Sequence, residues 1–221
     1  MFELNNYCLS YGQGMVLEDI SLSINAGERV AIIGESGVGK SSLLEVLRSQ
    51  RADKIAYAPQ GDALVESLSV FHNLYMGGMT RHNLFYNLTN LLFPLAVEKA
   101  AMQVLVEKLN LQSVMWTPVS QLSGGQARRV ILGRALNQHS DIFIGDEISS
   151  GLDYVQADNM FKLIAESHKT WVLALHNIEL ALRYCTRIIA LKDKRVVIDA
   201  AADQLQAQDL SSIFDSKKLL S

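Results

Sequence analysis

One phosphate-binding pattern constrains the fold of this chain more than any other stretch. Residues 34–41 read GESGVGKS, which has the form G-x-x-x-x-G-K-[ST]. The apolar run at 29–33 precedes this pattern, and a helical pattern at 42–47 follows it. A strand, a glycine-rich loop and a helix in this order predict an α/β fold in which the loop amides surround an anion. A chance match is the alternative, and the flanking strand and helix argue against it.

The pattern also assigns chemistry to two side chains. Lys40 would reach the β- and γ-phosphates of a bound nucleotide, and Ser41 would offer its hydroxyl to Mg²⁺. The sequence therefore predicts a nucleotide site at the start of the first long helix.

Composition narrows the class of protein. The chain has 221 residues, of which 49% are hydrophobic and 19% are charged, so it can build a large core in one domain or in a domain with an added lobe. Its net charge of −3 and its lack of basic runs argue against nucleic-acid binding. Cys8 and Cys185 match no metal-binding spacing, and we predict that both are reduced thiols in a core.

The sequence gives no sign of a membrane-spanning or targeting segment. The N-terminus has neither a basic region nor an apolar run of the kind found in signal peptides. The most apolar stretch, residues 83–97, is shorter than the roughly 18 residues that a spanning helix needs. We therefore expect that the chain does not cross a membrane alone, although a partner can hold it against one.

Hydrophobic periodicity predicts a sequence of strands and helices around these motifs. Apolar and polar residues alternate over 2–24, which indicates half-buried antiparallel strands. Further strands are predicted at 54–58, 141–146, 170–175, 187–192 and 195–199. Helices are predicted at 69–75, 96–109, 127–135, 155–167 and 178–184, followed by two short helices in the tail.

Two parts of the helical region allow only weaker predictions. The stretch at 76–94 is rich in Gly, Asn, Leu and Phe, and it is either an adaptable interface or a hydrophobic connector. Met115 and Trp116 are predicted to pack in a core. No internal repeat or linker is visible.

Polar residues follow three of the predicted strands, where ligands bind in open α/β sheets. Asp146 would hold a metal ion through water, and Glu147 would act as the general base on an attacking water. Gln60 would bind a metal or orient a water, unless it is an ordinary surface glutamine. His176 occupies the equivalent position after its own strand, which favours a phosphate contact over a structural role.

A second helix start has the features of an anion site. Residues 122–126 read LSGGQ, and Ser123 can cap the helix that follows. Gly124 and Gly125 would expose backbone N–H groups at that helix start. By physics alone, this feature is either a second anion site or a plain helix cap.

Taken in order, these motifs resemble those of the ATP-binding subunits of ABC transporters, over essentially the whole chain. The matches are the Walker A loop at 34–41, Gln60 of the Q-loop, the signature at 122–126, Walker B at 142–147, the D-loop at 150–153 and the switch histidine His176. The resemblance implies an α/β P-loop NTPase (RecA-like) core with an N-terminal antiparallel β subdomain and a helical subdomain. We expect one domain over 1–221, with a core lobe at about 1–61 and 137–221 and a helical lobe at about 62–136.

The resemblance also implies a set of site residues for ATP and Mg²⁺. Lys40, Glu147 and His176 would be catalytic, and Ser41, Gln60 and Asp146 would hold the metal. Tyr11, which by spacing alone is more simply an ordinary strand tyrosine, matches the aromatic residue that stacks on adenine. The full set expected to bind ATP is Tyr11, Gly34, Glu35, Ser36, Gly37, Val38, Gly39, Lys40, Ser41, Ser42, Gln60, Ser123, Gly124, Gly125 and Gln126.

Partners follow from the same resemblance. Two such subunits would form a head-to-tail dimer, expected to be a homodimer, with each ATP between the Walker motifs of one subunit and the signature of the other. The Gln60 region and the helices after it would receive a coupling helix from an integral membrane permease. An extracytoplasmic substrate-binding protein and a peripheral location on the cytoplasmic face of the inner membrane are also expected, with no nucleic acid.

A narrower resemblance concerns the transported molecule. The segments at 73–77 and 175–191 look like those of phosphonate-importer ATPases, although the tail of this chain is shorter than theirs. An ATPase for lipoprotein release, export or mechanotransmission is the alternative. Soluble repair or translation ATPases are a third class, and the interval from 60 to 122, which lacks heptads, and the single P-loop argue against it.

The chain departs from the family pattern at three positions. Gly145 stands where a larger apolar residue is usual, Ile148 replaces a proline, and Gly151 replaces an alanine. These changes remove no chemical group, but they put the packing and the chain path around Glu147 in question.

Overall fold

The computed structural model describes residues 1–12, 14–61 and 63–214. The predicted lobe boundary at residue 62 and the tail at 215–221 lie outside the described residues, and the division into two lobes stays a prediction.

The chain begins with an antiparallel hairpin of β1 (Phe2–Tyr11) and β2 (Gly14–Ile24). Alternate residues of the hairpin, among them Phe2, Leu17 and Ile24, are fully buried, as the alternating sequence pattern predicts. Their outward neighbours face solvent, so the hairpin covers the core with one face only.

The central sheet has six strands, in the order β4-β5-β6-β3-β7-β8. All neighbouring pairs are parallel except β7 and β8, which form an antiparallel edge. The strands are β3 (Arg29–Gly34), β4 (Ile55–Ala58), β5 (Ile142–Asp146), β6 (Thr170–Ala174), β7 (Arg187–Lys192) and β8 (Arg195–Ala201). β5 and β6 are buried along their whole length, because both faces of the parallel sheet are covered.

Side chains alternate between two cores on opposite faces of this sheet. In β3, Val30 and Ile32 join a core with the hairpin and the first helix, whereas Ala31 and Ile33 join a core with the remaining helices. The P-loop strand is thus buried on both sides, which fixes the position of the loop that follows it.

The helices are α1 (Lys40–Ser49), α2 (Val70–Met76), α3 (Leu84–Leu92), α4 (Ala96–Lys108), α5 (Gly124–Leu136), α6 (Tyr154–Ser167), α7 (Ile178–Tyr184) and α8 (Ala207–Phe214). Five of them start where a side-chain oxygen accepts a hydrogen bond from a backbone N–H of the first turn, which is the usual N-cap. The capping residues are Ser69, Asn83, Ser123, Asp153 and Asn177. Among the described residues, no helix is long and apolar enough to cross a membrane.

The helix α3 lies in the stretch for which the sequence allowed only an interface or a connector. Its inner side carries the buried Asn87 and Asn90, and the Tyr75 hydroxyl donates to Asn87 Oδ1 at 2.9 Å. Its outer side is apolar and open to solvent: Leu84, Phe85, Leu88 and Leu92 are all exposed. This polarity is the reverse of that of an ordinary surface helix.

Two predictions about the core are wrong in part. Met115 is buried as predicted, but Trp116 is 53% exposed and lies with its ring stacked at 4.9 Å on that of Phe71. Cys185 is buried, which raises the pKa of its thiol to about 12, whereas Cys8 is exposed on β1. Cys8 lies on the solvent-facing side of the hairpin, which does not take part in the core.

Candidate active site

The P-loop is seated between two strands that leave no room for side chains at two of its glycines. A Cβ on Gly34 would lie 2.5 Å from the carbonyl oxygen of Leu191, and one on Gly39 would lie 2.8 Å from Leu17 Cδ2. Gly39 also has φ +111°, a conformation that favours glycine, and it is the N-cap of α1. The loop is therefore held closely against β2 and β7 where it enters α1.

Lys40 lies within this loop as a nearly buried ammonium group. Its side chain is 4% exposed, and Nζ donates to the carbonyl oxygens of Gly34 and Glu35, both at 3.0 Å. Burial lowers the pKa of Lys40, while the carboxylates of Glu147 and Asp146 oppose that shift. Glu147 Oε1 lies 3.9 Å from Nζ, which places the cation between the loop and the predicted base.

Three neighbouring strands bring three predicted residues together. Gln60 follows β4, Glu147 follows β5 and His176 follows β6. Gln60 Nε2 donates to Glu147 Oε2 at 2.5 Å, and His176 Nε2 shares a hydrogen bond of 2.5 Å with Glu147 Oε1. The parallel order β4-β5-β6 explains this convergence, because the carboxyl ends of parallel strands meet at one edge.

Asp146 is a buried carboxylate next to this cluster. Burial raises its pKa, and a hydrogen bond with the Ser41 hydroxyl opposes that rise. Its Oδ1 atom is buried with no hydrogen-bond partner. A buried carboxylate oxygen left unpaired beside a hydroxyl fits a hydrated divalent cation shared with nucleotide phosphates. Among the described residues, no group of three or more His, Cys, Asp or Glu is placed to hold a metal ion.

The signature residues form a self-contained helix start. The Gln126 backbone N–H donates to Ser123 Oγ at 3.3 Å, and the Ser123 backbone N–H donates to Gln126 Oε1 at 2.9 Å, which is a capping box. Ser123 and Gly124 are exposed. A Cβ on Gly124 would meet nothing within 4 Å, while one on Gly125 would lie 3.4 Å from Leu152 of the D-loop.

Tyr11 lies at the open end of the hairpin, paired with Gly14. Its side chain is 61% exposed, and β2 runs from there to Val16, whose carbonyl oxygen would lie 3.0 Å from a Cβ on Gly39. An exposed ring on the strand pair that abuts the P-loop is available for stacking, and its contact with adenine stays a prediction.

The sequence alone did not predict that the P-loop packs against Val16 and Leu191. The glycines at 34 and 39 were the only indication of this close packing.

A family model described as ABC transporter matches residues 17–150. The chain belongs to the ABC transporter family. It is 35% identical to the phosphonates import ATP-binding protein PhnC 1 of Halalkalibacterium halodurans, over 97% of this chain and 94% of that protein. It is 32% identical to the PhnC of Maricaulis maris, over 96% of this chain and 92% of that protein.

Solved structures agree with this assignment. The chain resembles a dimeric ATP-binding cassette in a post-hydrolysis state bound to ADP and Pi, with a TM-score of 0.77 and 25% identity, over 91% of this chain and 99% of that one. As an ABC ATPase, this chain binds ATP and hydrolyses it, and its fold is the P-loop NTPase core with an antiparallel β subdomain that the motifs predict.

Proposed function

We propose that this ABC ATPase drives the import of phosphonate or a similar oxyanion, and that it works as a head-to-tail homodimer on a membrane permease. The substrate class is supported by the curated relatives, several of which are named phosphonates import ATP-binding proteins. The structures of dimeric cassettes of similar fold support the dimer.

The observation that carries the proposal is that the predicted site occurs in two separate halves. Lys40, Asp146 and Glu147 converge at the carboxyl edge of the sheet. Ser123 and Gly124 form an exposed helix start in which Ser123 and Gln126 hydrogen-bond to each other. An ATP bound by one half would leave its γ-phosphate open to a signature helix from a second chain, so hydrolysis depends on association.

The chemistry of the first half can be assigned to named groups. The P-loop amides and Lys40 hold the β- and γ-phosphates, and the carboxylate of Glu147 accepts the proton of the attacking water. The new bond joins the water oxygen to the γ-phosphorus, and the bond to the bridging oxygen breaks to release ADP. Gln60 and His176 both contact Glu147, so they hold this carboxylate and are well placed to contact the water or the γ-phosphate.

Magnesium is proposed as the metal partner of the nucleotide. Ser41 and the unpaired Oδ1 of Asp146 fit its octahedral oxygen coordination, the latter through water. When bound, the ion neutralises charge on the β- and γ-phosphate oxygens. Gln60, the third predicted ligand, donates its amide to Glu147 in this structure, and its oxygen remains available for the metal.

The helical region offers a surface for the permease. A groove of about 250 Å³ lies beside the Q-loop and is lined in part by Gly61, Leu64, Val119 and Ile131. The exposed apolar side of α3 lies in the same helical region. Both features support the docking of a permease helix there, which would hold the chain at the membrane face.

The test is to identify what associates with a hydrolysis-deficient variant. Glu147→Gln would be tagged in its native cell, and the membranes would be solubilised in the presence of ATP and Mg²⁺. We expect a multi-span permease and an extracytoplasmic binding protein to co-purify, and the binding protein to bind phosphonates in a direct assay.

Other outcomes would redirect the proposal. A permease that carries a large extracytoplasmic domain of its own would indicate export or mechanotransmission. A binding protein that ignores phosphonates would overturn the substrate class alone. Lys40→Ala, which should not bind ATP, is the matched control. If no membrane protein co-purifies with Glu147→Gln, the transporter role would be overturned.

A further inference from the structure

The space above Gly145 in β5 is filled by side chains from other positions. A Cβ on Gly145 would lie 2.8 Å from Leu173 Cδ2, 2.9 Å from Ile148 Cγ2 and 3.0 Å from Phe143 Cε1. All three distances are at or below the closest approach of a real Cβ. Gly145 does not have a positive φ, so the glycine is required by packing and not by its backbone conformation.

Glu147 lies between Gly145 and Ile148 with an unusual backbone. Its φ is +49°, in the left-handed region that residues with a side chain seldom adopt. Its N–H donates to the carbonyl oxygen of Ala174 in β6, and its carbonyl oxygen accepts from the N–H of Ser150. The left-handed residue therefore turns the chain sharply back toward the sheet immediately after the strand.

Ile148 is the residue that this turn returns to the core. It is 1% exposed and belongs to the same apolar core as Phe143 and Leu173. Its Cγ2 occupies the position that a larger residue at 145 would need. Ile148, which lies on the turn, thus fills space that a side chain at position 145 would occupy.

We infer that Ile148 is a positioning residue for the Glu147 carboxylate, and that the glycine at 145 forms the recess that receives it. The inference rests on the proposed role of Glu147 as general base. Burial of Ile148 holds the left-handed turn, and the turn directs Glu147 toward Gln60, His176 and Lys40. Loss of the Ile148 side chain frees the turn and removes the carboxylate from its productive position.

The experiment compares ATP binding with turnover in purified full-length variants. Ile148→Ala is expected to lower kcat about tenfold or more, because small displacements of a catalytic group are costly. The Kd for ATP should change less than about twofold, since the P-loop is untouched. Ile148→Val keeps Cγ2 and should stay within about twofold of the wild-type kcat.

A matched control separates positioning from loss of core volume. Ile164→Ala removes the same atoms from a fully buried position of the same core, on α6. It should lower the unfolding midpoint about as much as Ile148→Ala while leaving kcat within about twofold at a temperature where both are folded. Equal losses of kcat in the two variants would overturn the inference.

Double variants test the route through Glu147. The single variant Gly145→Ala should have a lower kcat than the wild type. In the double variant with Ile148→Ala, the fold-loss of kcat should be smaller than the product of the two single fold-losses. In the Glu147→Gln background, Ile148→Ala should cause no further loss. A full additional loss there would overturn the inference while leaving the proposed function intact, whereas unimpaired turnover by Glu147→Gln itself would overturn the general-base role of Glu147 on which the inference rests.

Discussion

The two helix starts of this chain that contain glycine and serine, those of α1 and α5, have different surroundings. At the start of α1, Lys40 is buried and lies near the carboxylates of Glu147 and Asp146. At the start of α5, Ser123 and Gly124 face solvent, and the polar groups of the capping box satisfy one another. Both ends present backbone N–H groups to an anion. At the first, Lys40 lies near two carboxylates, whereas at the second the charged neighbour is Arg129, whose Nη1 would lie 4.0 Å from a Cβ on Gly125.

The difference shows how the site is divided. The first helix start holds Lys40 near Glu147 and Asp146, the groups that we propose carry out the reaction, and these groups lie together within one chain. The second helix start offers oriented backbone dipoles beside Arg129, and such dipoles gain strength when water is excluded around them. We propose that this second helix start acts only at the interface with another subunit.

The largest effect on ATP turnover should come from a substitution among the groups near Lys40, which we call the reacting half of the site. We expect Glu147→Gln to lower kcat by about 10²–10⁴, because the amide cannot accept the proton of the attacking water. ATP binding should persist, and the variant should accumulate as an ATP-bound dimer in gel filtration. Turnover close to that of the wild type would show that Glu147 is not the base.

Mixing two inactive variants would test the division directly. Lys40→Ala removes the reacting half, and Gly124→Asp places a negative charge at the open helix start, where an added side chain meets nothing in its own chain. Each variant alone should be almost inactive. Random pairing makes about half of the dimers mixed, with one intact site each, so the mixture should regain about a quarter of the wild-type rate. A mixture as inactive as its components would contradict the head-to-tail arrangement.

A smaller effect should separate capping from catalysis at α5. Ser123→Ala removes an N-cap and should lower the free energy of unfolding by about 1 kcal/mol. It should also lower ATP turnover severalfold, because the hydroxyl is expected to face the γ-phosphate. Asn83→Ala removes the cap of α3 at a similar cost in stability and serves as the control. Equal ATP turnover in Ser123→Ala and Asn83→Ala would show that Ser123 has only a structural role.

The smallest effect concerns the buried carboxylate of Asp146. Its pKa is raised in the folded protein by burial, so its negative charge opposes folding above that pKa, and the penalty disappears as the pH falls below its ordinary value near 3.8. Asp146→Asn should therefore raise the free energy of unfolding at pH 7 by about 1 kcal/mol. Chemical denaturation at pH 7 and at pH 4 would show the gain shrinking at the lower pH. A gain independent of pH would point to packing instead.

Much of the first helix start could be predicted from sequence. The residue pattern fixes the loop, and the parallel strand order brings Gln60, Glu147 and His176 to one edge of the sheet, as expected for residues that follow buried strands. The N-cap at Ser123 was equally visible, since it lies next to its helix in the chain, whereas the reciprocal bond to Gln126 was not predicted.

The remaining features depend on contacts between distant residues. The left-handed turn at Glu147 has no signal in the residue itself, and we infer that the packing of Ile148 over Gly145 holds it. The exposure of Trp116 and Cys8 depends on which face of an element meets the core. The helix α3 was not predicted because its buried side is polar and its outer side is apolar, which obscures the usual pattern.

The inverted polarity of α3 also has a consequence for the supply of subunits in the cell. A chain made in excess of its membrane partner would display Leu84, Phe85, Leu88 and Leu92 to chaperones and proteases, which select exposed apolar side chains. Assembly would hide this signal. The helix that we expect to dock would then also set the ratio of the subunits, since unassembled copies would be removed.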